Sequence, residues 1–230
     1  ELLEIGPGLG AVTIPLALAK NKVVAVELDR GLANRLVKIV PGNVQVIRGN
    51  IFDQNLSGFG FIKHKYVAFG SLPFNMGTAI IQFLLENECP PRQIYAILQQ
   101  EVIDRILANN KKQSILSLAV RFYGSARFRF RIPASAYEPA PRVKTGLISI
   151  DCTPGTPLLE FKDPFFKLIK AGFSARRKYL VSNLAKKLDW PKKQAEKALR
   201  ECRLGTKSRA EELSFQNWLD LTKNYLTYLG

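Results

Sequence analysis

Five short apolar runs punctuate the first hundred residues: LLEI, VVAVE, VQVIR, YVAFG and IYAILQ. Four of them lead into helical patterns, namely the Ala/Leu segment ending at Lys20, LANRLVKIV, TAIIQFLLE and EVIDRILA, whereas VQVIR leads into a loop. A strand followed by a helix at this spacing is the signature of right-handed crossovers and a mostly parallel sheet. Such a sheet is buried on both faces, which explains why these strands hold so few polar residues. The chain is therefore α/β in its first part.

The rhythm changes after Ala108. ILSLAVRFYG reads as a helix, and ARFRFRI alternates basic and aromatic residues with period two, as a half-exposed strand does. The turn-rich PASAYEPAPRV and the strand TGLISI follow, and TPGTP at 153–157 reads as a linker. Beyond it the patterns are helical: DPFFKLIKAGF, then ARRKYLVSNLAKKL with Arg176, Arg177 and Lys178 opening a helix, then a helix from Pro191 to Cys202, then one over 214–228. Pro191 suits a first helical turn and Gly205 a stop. The expected division is a domain over 1–156 and a small all-helical domain over 157–230.

Charge narrows the class of partner. The 230 residues carry a formal net charge of +15, a single-sign excess that calls for a polyanion such as nucleic acid. The last third concentrates it, with sixteen Lys and Arg against eight Asp and Glu from residue 157 onward. No apolar run reaches the roughly 18–20 residues that cross a bilayer, so no membrane is expected as a partner. Cys89, Cys152 and Cys202 are odd in number and scattered, which fits a reducing compartment better than a disulfide framework or zinc spacing. The single histidine, His64, sits in the Lys-rich FIKHKY and reads as a solvated loop residue. One histidine cannot build a metal cluster, so no metal is expected. The expectation is a cytoplasmic monomer. Because the chain opens inside an apolar strand, a further segment, with any targeting sequence, is expected to precede it.

EIGPGLG lies directly after the first strand. Gly6, Gly8 and Gly10 allow a tight turn and a close approach of backbone to ligand, and the next helix is expected to offer free N–H groups. Glu27 ends the second strand 21 residues after Gly6, where a carboxylate can bind ribose hydroxyls. A dinucleotide fingerprint would need glycine at position 11, where Ala11 stands. Glu4 would crowd a pyrophosphate but suits a ligand with an amino group, such as the aminoacyl end of S-adenosyl-L-methionine. Asn50, ending the third strand, can accept from an adenine amino group.

GSLPFN, residues 70–75, ends the fourth strand beside that pocket. Ser71 can accept a hydrogen bond from an exocyclic amine. Pro73 fixes φ and removes a donor, leaving the Leu72 carbonyl to face a substrate. Phe74 can stack on a flat base and favour a nearby cation. Together these parts would hold a planar amine with its lone pair aimed at a methyl sulfonium.

EIGPGLGAVT, VELD, GSLPFN, ILQQEV, YEPAPRV and GFSARRK, in this order and spacing, with SRAEELS at 208–214, resemble the KsgA-type ribosomal RNA adenine dimethyltransferases almost end to end. The resemblance implies a Rossmann-like class I methyltransferase sheet. It also implies N6-dimethylation of two adjacent adenosines in a small-subunit ribosomal RNA hairpin, with S-adenosyl-L-methionine as donor. Carried over by position, Glu4, Gly6 and Gly8 contact the methionine and the loop, Glu27 the ribose and Asn50 the adenine. Ser71, Leu72, Pro73 and Phe74 form the acceptor motif, Ser71 also counting among the cofactor contacts, and Tyr137, before P-x-P, stacks the target base from the other side. Three features depart from the family: Ser71 stands for its usual Asn, Asn50 for its usual Asp, and the segment before the first strand is absent. An Erm-like large-subunit enzyme and a non-catalytic RNA-binding factor on the same fold are the alternatives. Arg121, Arg127, Arg129 and Arg131, with Arg176, Arg177 and Lys178, are expected to line a groove between the domains that grips RNA phosphates.

Overall fold

The computed structural model describes residues 1–230 except Lys20, Phe74, Asn110, Lys111, Pro154, Gly155 and Gly230, and leaves aside the side chains of Thr156, Pro157 and Leu229. In chain order the elements are β1 (Leu2–Ile5), α1 (Thr13–Leu18), β2 (Val23–Glu27), α2 (Arg30–Leu36), β3 (Val44–Arg48), β4 (Val67–Ser71), α3 (Gly77–Glu86), β5 (Gln93–Gln99), α4 (Gln100–Leu107) and α5 (Ile115–Tyr123). They continue with β6 (Ser125–Ile132), β7 (Thr145–Asp151), α6 (Lys162–Gly172), α7 (Leu180–Leu188), α8 (Lys192–Glu201) and α9 (Phe215–Leu229).

Seven strands form one sheet in the order β3-β2-β1-β4-β5-β7-β6. The strands β1 to β5 run parallel, and β7 enters antiparallel between β5 and β6. Every residue of β1 and β2 is buried, as their apolar sequences require of strands covered on both sides. Strand order reverses between β1 and β4, and the carboxyl ends of strands at such a switch point are where open α/β sheets bind ligands.

The chain clusters into two compact units, Glu1–Ile103 with Tyr123–Thr153, and Asp104–Phe122 with Pro154–Gly230. The first holds the whole sheet. In the second, Phe122 stacks on Phe165 with centroids 4.9 Å apart and meets Phe166 edge-on at 5.1 Å, and Arg121 lies 5.5 Å over the Phe215 ring. These aromatic contacts place Asp104–Phe122 with the C-terminal helices, although it precedes residue 157 in sequence. Trp190 and Trp218 are buried in the same unit.

Several local expectations change in three dimensions. Arg176, Arg177 and Lys178 do not open a helix; they occupy the exposed turn before α7, which starts at Leu180. Asn183 holds that turn, donating from Nδ2 to the carbonyls of Gly172 at 2.6 Å and Ala175 at 3.0 Å. Pro191 precedes α8 as its N-cap, and its carbonyl accepts the N–H groups of Gln194 and Ala195. That helix stops at Glu201, with Arg203 taking φ 57°, before Gly205 is reached. Within the linker stretch, Pro154 and Gly155 lie outside the described residues, and Thr156–Phe161 forms a 3-10 helix. His64 is half-buried, its backbone N–H donating to Pro90. Among the described residues no helix is long and apolar enough to cross a membrane, and no group of three or more His, Cys, Asp or Glu could hold a metal ion.

Candidate active site

The glycine loop bridges β1 and α1 over the switch point. Gly6, Gly8 and Gly10 have φ of 68°, 58° and 85°, values open to glycine at little cost. Glu27, at the end of β2, fastens the loop from below: Oε2 accepts the Gly8 N–H at 3.0 Å, and Oε1 accepts that of Asp29 at 2.9 Å. The carboxylate is 6% exposed and keeps lone pairs on both oxygens beyond these bonds. Its neighbour Leu28 is 63% exposed, an apolar surface beside that carboxylate. The short α1, six residues with Pro15 inside it, makes a feeble dipole, so the expected gain from its free N–H groups is small.

Glu4 is the anomaly of the site. It lies within β1 at 2% exposure, and neither its Oε2 nor the hydroxyl of buried Thr13 has a hydrogen-bond partner. Burial raises the Glu4 carboxyl above the ordinary glutamate range; the nearby Thr13 hydroxyl offsets part of the rise without completing a hydrogen bond, and the Glu27 charge adds to it. An unpartnered buried carboxyl oxygen is costly and suits a cationic ligand group.

On the neighbouring strand, β4 delivers Ser71 to the same place. A Cβ added to Gly6 would lie 3.8 Å from the Ser71 carbonyl oxygen, so the glycine loop and the GSLP segment are in contact. Ser71 is exposed, and no hydrogen bond among the described residues engages its hydroxyl. Leu72 continues the pairing with β5, its N–H donating to Ile97 at 3.2 Å, while its side chain is buried. The Pro73 carbonyl is taken up by the N–H groups of Met76 and Gly77 at the start of α3; the Leu72 carbonyl accepts none among the described residues. Phe74 lies outside the described residues.

Two further positions approach from either side. Asn50 follows β3, and its Oδ1 accepts the Phe52 N–H at 3.3 Å, capping a 3-10 turn. One lone pair of that oxygen is thereby used. Tyr137 is half-buried, and its hydroxyl is 2.8 Å from the hydroxyl of Thr145 at the start of β7. Thr145 pairs with Gln99 at the end of β5, two residues beyond Ile97, the partner of Ser71. Tyr137 is thus tied to the carboxyl edge of the sheet that carries Ser71.

The family model described as ribosomal RNA adenine dimethylase matches residues 1–226. The chain belongs to that family. Among its relatives, the ribosomal RNA small subunit methyltransferase A of Fusobacterium nucleatum is 34% identical over 97% of this chain and 85% of its own length. The enzyme of the same name from Dehalococcoides mccartyi is 32% identical over 97% of this chain and 78% of its own. Two solved structures share the fold: a dimethyladenosine transferase from Plasmodium falciparum, with TM-score 0.78, 19% identity and 98% and 90% of the two chains covered, and the 23S rRNA methyltransferase ErmE, with 0.72, 20%, 97% and 89%. These likenesses make the sheet a class I methyltransferase sheet.

The ribosomal RNA adenine dimethylase family uses S-adenosylmethionine, and the residues present fit that group. An ammonium such as the one this group carries would give the orphaned Glu4 oxygen a partner, and the three glycines let the loop backbone come close to a ligand. The basic residues fall into separate sets. Arg127, Arg129 and Arg131 lie on β6 at the sheet edge and are exposed, whereas Arg121 belongs to the second unit with Arg176, Arg177 and Lys178. Four contributors escape sequence reading: Thr13, Leu28, Thr145 and Asn183. Only Leu28 leaves a signal, an apolar residue immediately after the acidic strand end.

Proposed function

We propose that the chain transfers methyl groups from S-adenosylmethionine to N6 of two adjacent adenosines in a small-subunit ribosomal RNA hairpin. It acts on a precursor of the small subunit, as a cytoplasmic monomer. The observation that carries this reading is the Ser71 backbone against Gly6 at the switch point, with the exposed Ser71 hydroxyl and the unengaged Leu72 carbonyl at the end of β4, next to the strand that holds the buried Glu4 and its unpartnered Oε2. The small-subunit names borne by relatives above 30% identity favour this substrate over a large-subunit one.

When bound, S-adenosylmethionine supplies a methyl group on a positively charged sulfur. Glu4 holds its ammonium, Glu27 its ribose hydroxyls and Asn50 its adenine, while Gly6 and Gly8 let the methionine portion lie against the backbone. Ser71 Oγ and the Leu72 carbonyl accept the two N6 hydrogens of adenosine and draw them out of the ring plane, which localises a lone pair otherwise spread into the ring. Pro73 stiffens the segment and Phe74 and Tyr137 clamp the base between two rings, as an extruded or unpaired base requires. The nitrogen pair so localised by Ser71 and Leu72 would take the methyl group, the electrons of the broken S–C bond staying with the departing thioether. The methylated amine then carries positive charge and sheds its proton to water, so no strong base is needed. Positioning and electrostatics supply the catalysis. The seven basic side chains, Arg121, Arg127, Arg129, Arg131, Arg176, Arg177 and Lys178, engage RNA phosphates.

The deciding experiment incubates the protein with unmethylated small ribosomal subunits and labelled S-adenosylmethionine and maps the product. Two adjacent N6-dimethyladenosines in one hairpin are expected. Methylation of large-subunit RNA alone, or no incorporation despite cofactor binding, overturns the reading.

A further inference from the structure

The outermost strand, β6, interrupts its own alternation. Phe128 faces Ile148 and Phe130 faces Leu147, so two positions advance on β6 while one advances on β7, and Arg129 is the extra residue. Such a bulge changes the face on which the following side chains lie. Arg127 is opposite Ser149, two residues from Leu147, so Arg127 and Phe130 share one face. Arg129 joins them, its Nε donating to Ser149 Oγ at 2.7 Å. Strict alternation would have put Phe130 opposite to both arginines. Arg131, paired with Gly146, goes to the other face with Phe128.

The two exposed rings are not equivalent. Phe128, 40% exposed, covers the bare Gly146, where an added Cβ would meet its Cε2 at 2.9 Å. Phe130 is 57% exposed, and no described ring stacks on it. No described carboxylate lies within 4.0 Å of Arg127 or Arg129. Buried Ser149 fixes the Arg129 guanidinium by its Nε and leaves the terminal N–H groups for another acceptor.

We infer that Phe130, Arg127 and Arg129 form a stacking subsite for one unpaired nucleotide of the RNA, separate from the pocket at Ser71. The ring takes the base and the arginines take the adjoining phosphates, the combination by which proteins hold single-stranded nucleic acid. A ring bordered by two arginines with no described carboxylate within 4.0 Å, although the Asp151 charge acts on Arg127 from further off, on a chain of net charge +15, suits RNA better than an apolar peptide. This inference rests on the ribosomal RNA reading above.

The test uses the full chain and two probes, a small-subunit rRNA hairpin with a single-stranded flank carrying 2-aminopurine, and the same hairpin without the flank. Wild type should bind the flanked RNA more tightly and quench the fluorophore. Phe130→Ala should weaken binding of the flanked RNA about tenfold and abolish the quench, with little effect on the bare hairpin. Phe130→Trp should keep both, and Arg129→Gln should weaken the flanked RNA more than the bare hairpin. Unchanged cofactor affinity and melting temperature in Phe130→Ala show that the variant is folded. Equal binding of the flanked RNA by wild type and Phe130→Ala overturns the subsite while leaving the methyltransferase reading intact. Failure of wild type to bind either probe overturns the subsite, and the methyltransferase reading falls with it only if small subunits are also left unmethylated.

Discussion

Glu4 stores a conflict that a ligand can resolve. Its carboxyl is raised, chiefly by burial, so the folded protein without cofactor holds that proton to higher pH than an ordinary glutamate does. A raised acid contributes stability that is present below its unfolded pKa and lost as pH climbs through the folded value. Stability of the cofactor-free protein should therefore decline as pH rises from the ordinary glutamate range, and Glu4→Gln should flatten that decline in melting curves taken across pH. A cationic ammonium binds the ionised carboxylate, so cofactor affinity should rise with pH over the same window. In calorimetry, Glu4→Gln should lose about ten- to hundredfold in affinity, the worth of a charge-assisted hydrogen bond. Ser71→Ala should act chiefly on turnover, with a smaller loss of cofactor affinity than Glu4→Gln while kcat on small subunits falls about ten- to hundredfold through loss of one acceptor. Equal activity of Ser71→Ala and wild type would remove the hydroxyl from the mechanism. Both residues were legible in the sequence because each stands at a fixed distance from a glycine or a proline. Thr13 and Thr145 were not, because what makes them matter is a neighbour across the fold.

The glycine loop and the basic turn show how an element holds functional groups in place. Gly10 combines φ 85° with a virtual Cβ only 2.7 Å from Leu36 Cδ1. Leu36 can swing aside, but the backbone cannot relax, so Gly10→Ala should cost about 1–3 kcal/mol in urea unfolding. In the other unit, Asn183 is 5% exposed and clamps two carbonyls of the segment leading to Arg176. Asn183→Ala should cost about 1–3 kcal/mol by leaving those acceptors unsatisfied, and it should also weaken low-salt RNA binding by loosening the turn. A variant with wild-type melting and wild-type affinity would deny Asn183 this part. Strands were the readable elements, since burial on both faces leaves long apolar runs. The turn at 173–178 and the bulge at Arg129 were not, because a run of arginines reads the same in a helix or a turn, and period two continues in sequence after the register has shifted.

At the scale of the whole molecule, the sequence separated a parallel sheet from a basic helical tail but not the membership of Asp104–Phe122. A helix carries no mark in its own pattern of which partner will cover it, and here the rings of Phe165 and Phe166 decide. Charge is the other property that belongs to the whole chain. With +15 spread over both units, a merely basic protein and a phosphate-binding one differ in where salt acts. Delocalised attraction fades when any charge is removed, whereas specific contacts release a counted number of ions. For single-stranded RNA each phosphate contact contributes about 0.7 to the slope of log affinity against log salt, and for duplexes about 0.9. Replacing Arg176, Arg177 and Lys178 together by Gln should therefore lower the slope by about two to three, while Lys192→Gln, Lys193→Gln and Lys197→Gln, an equal loss of charge on α8, should leave it nearly unchanged. Equal slopes for the two triple variants would reduce the basic turn to general charge, and the RNA contacts would have to be sought on the sheet edge alone.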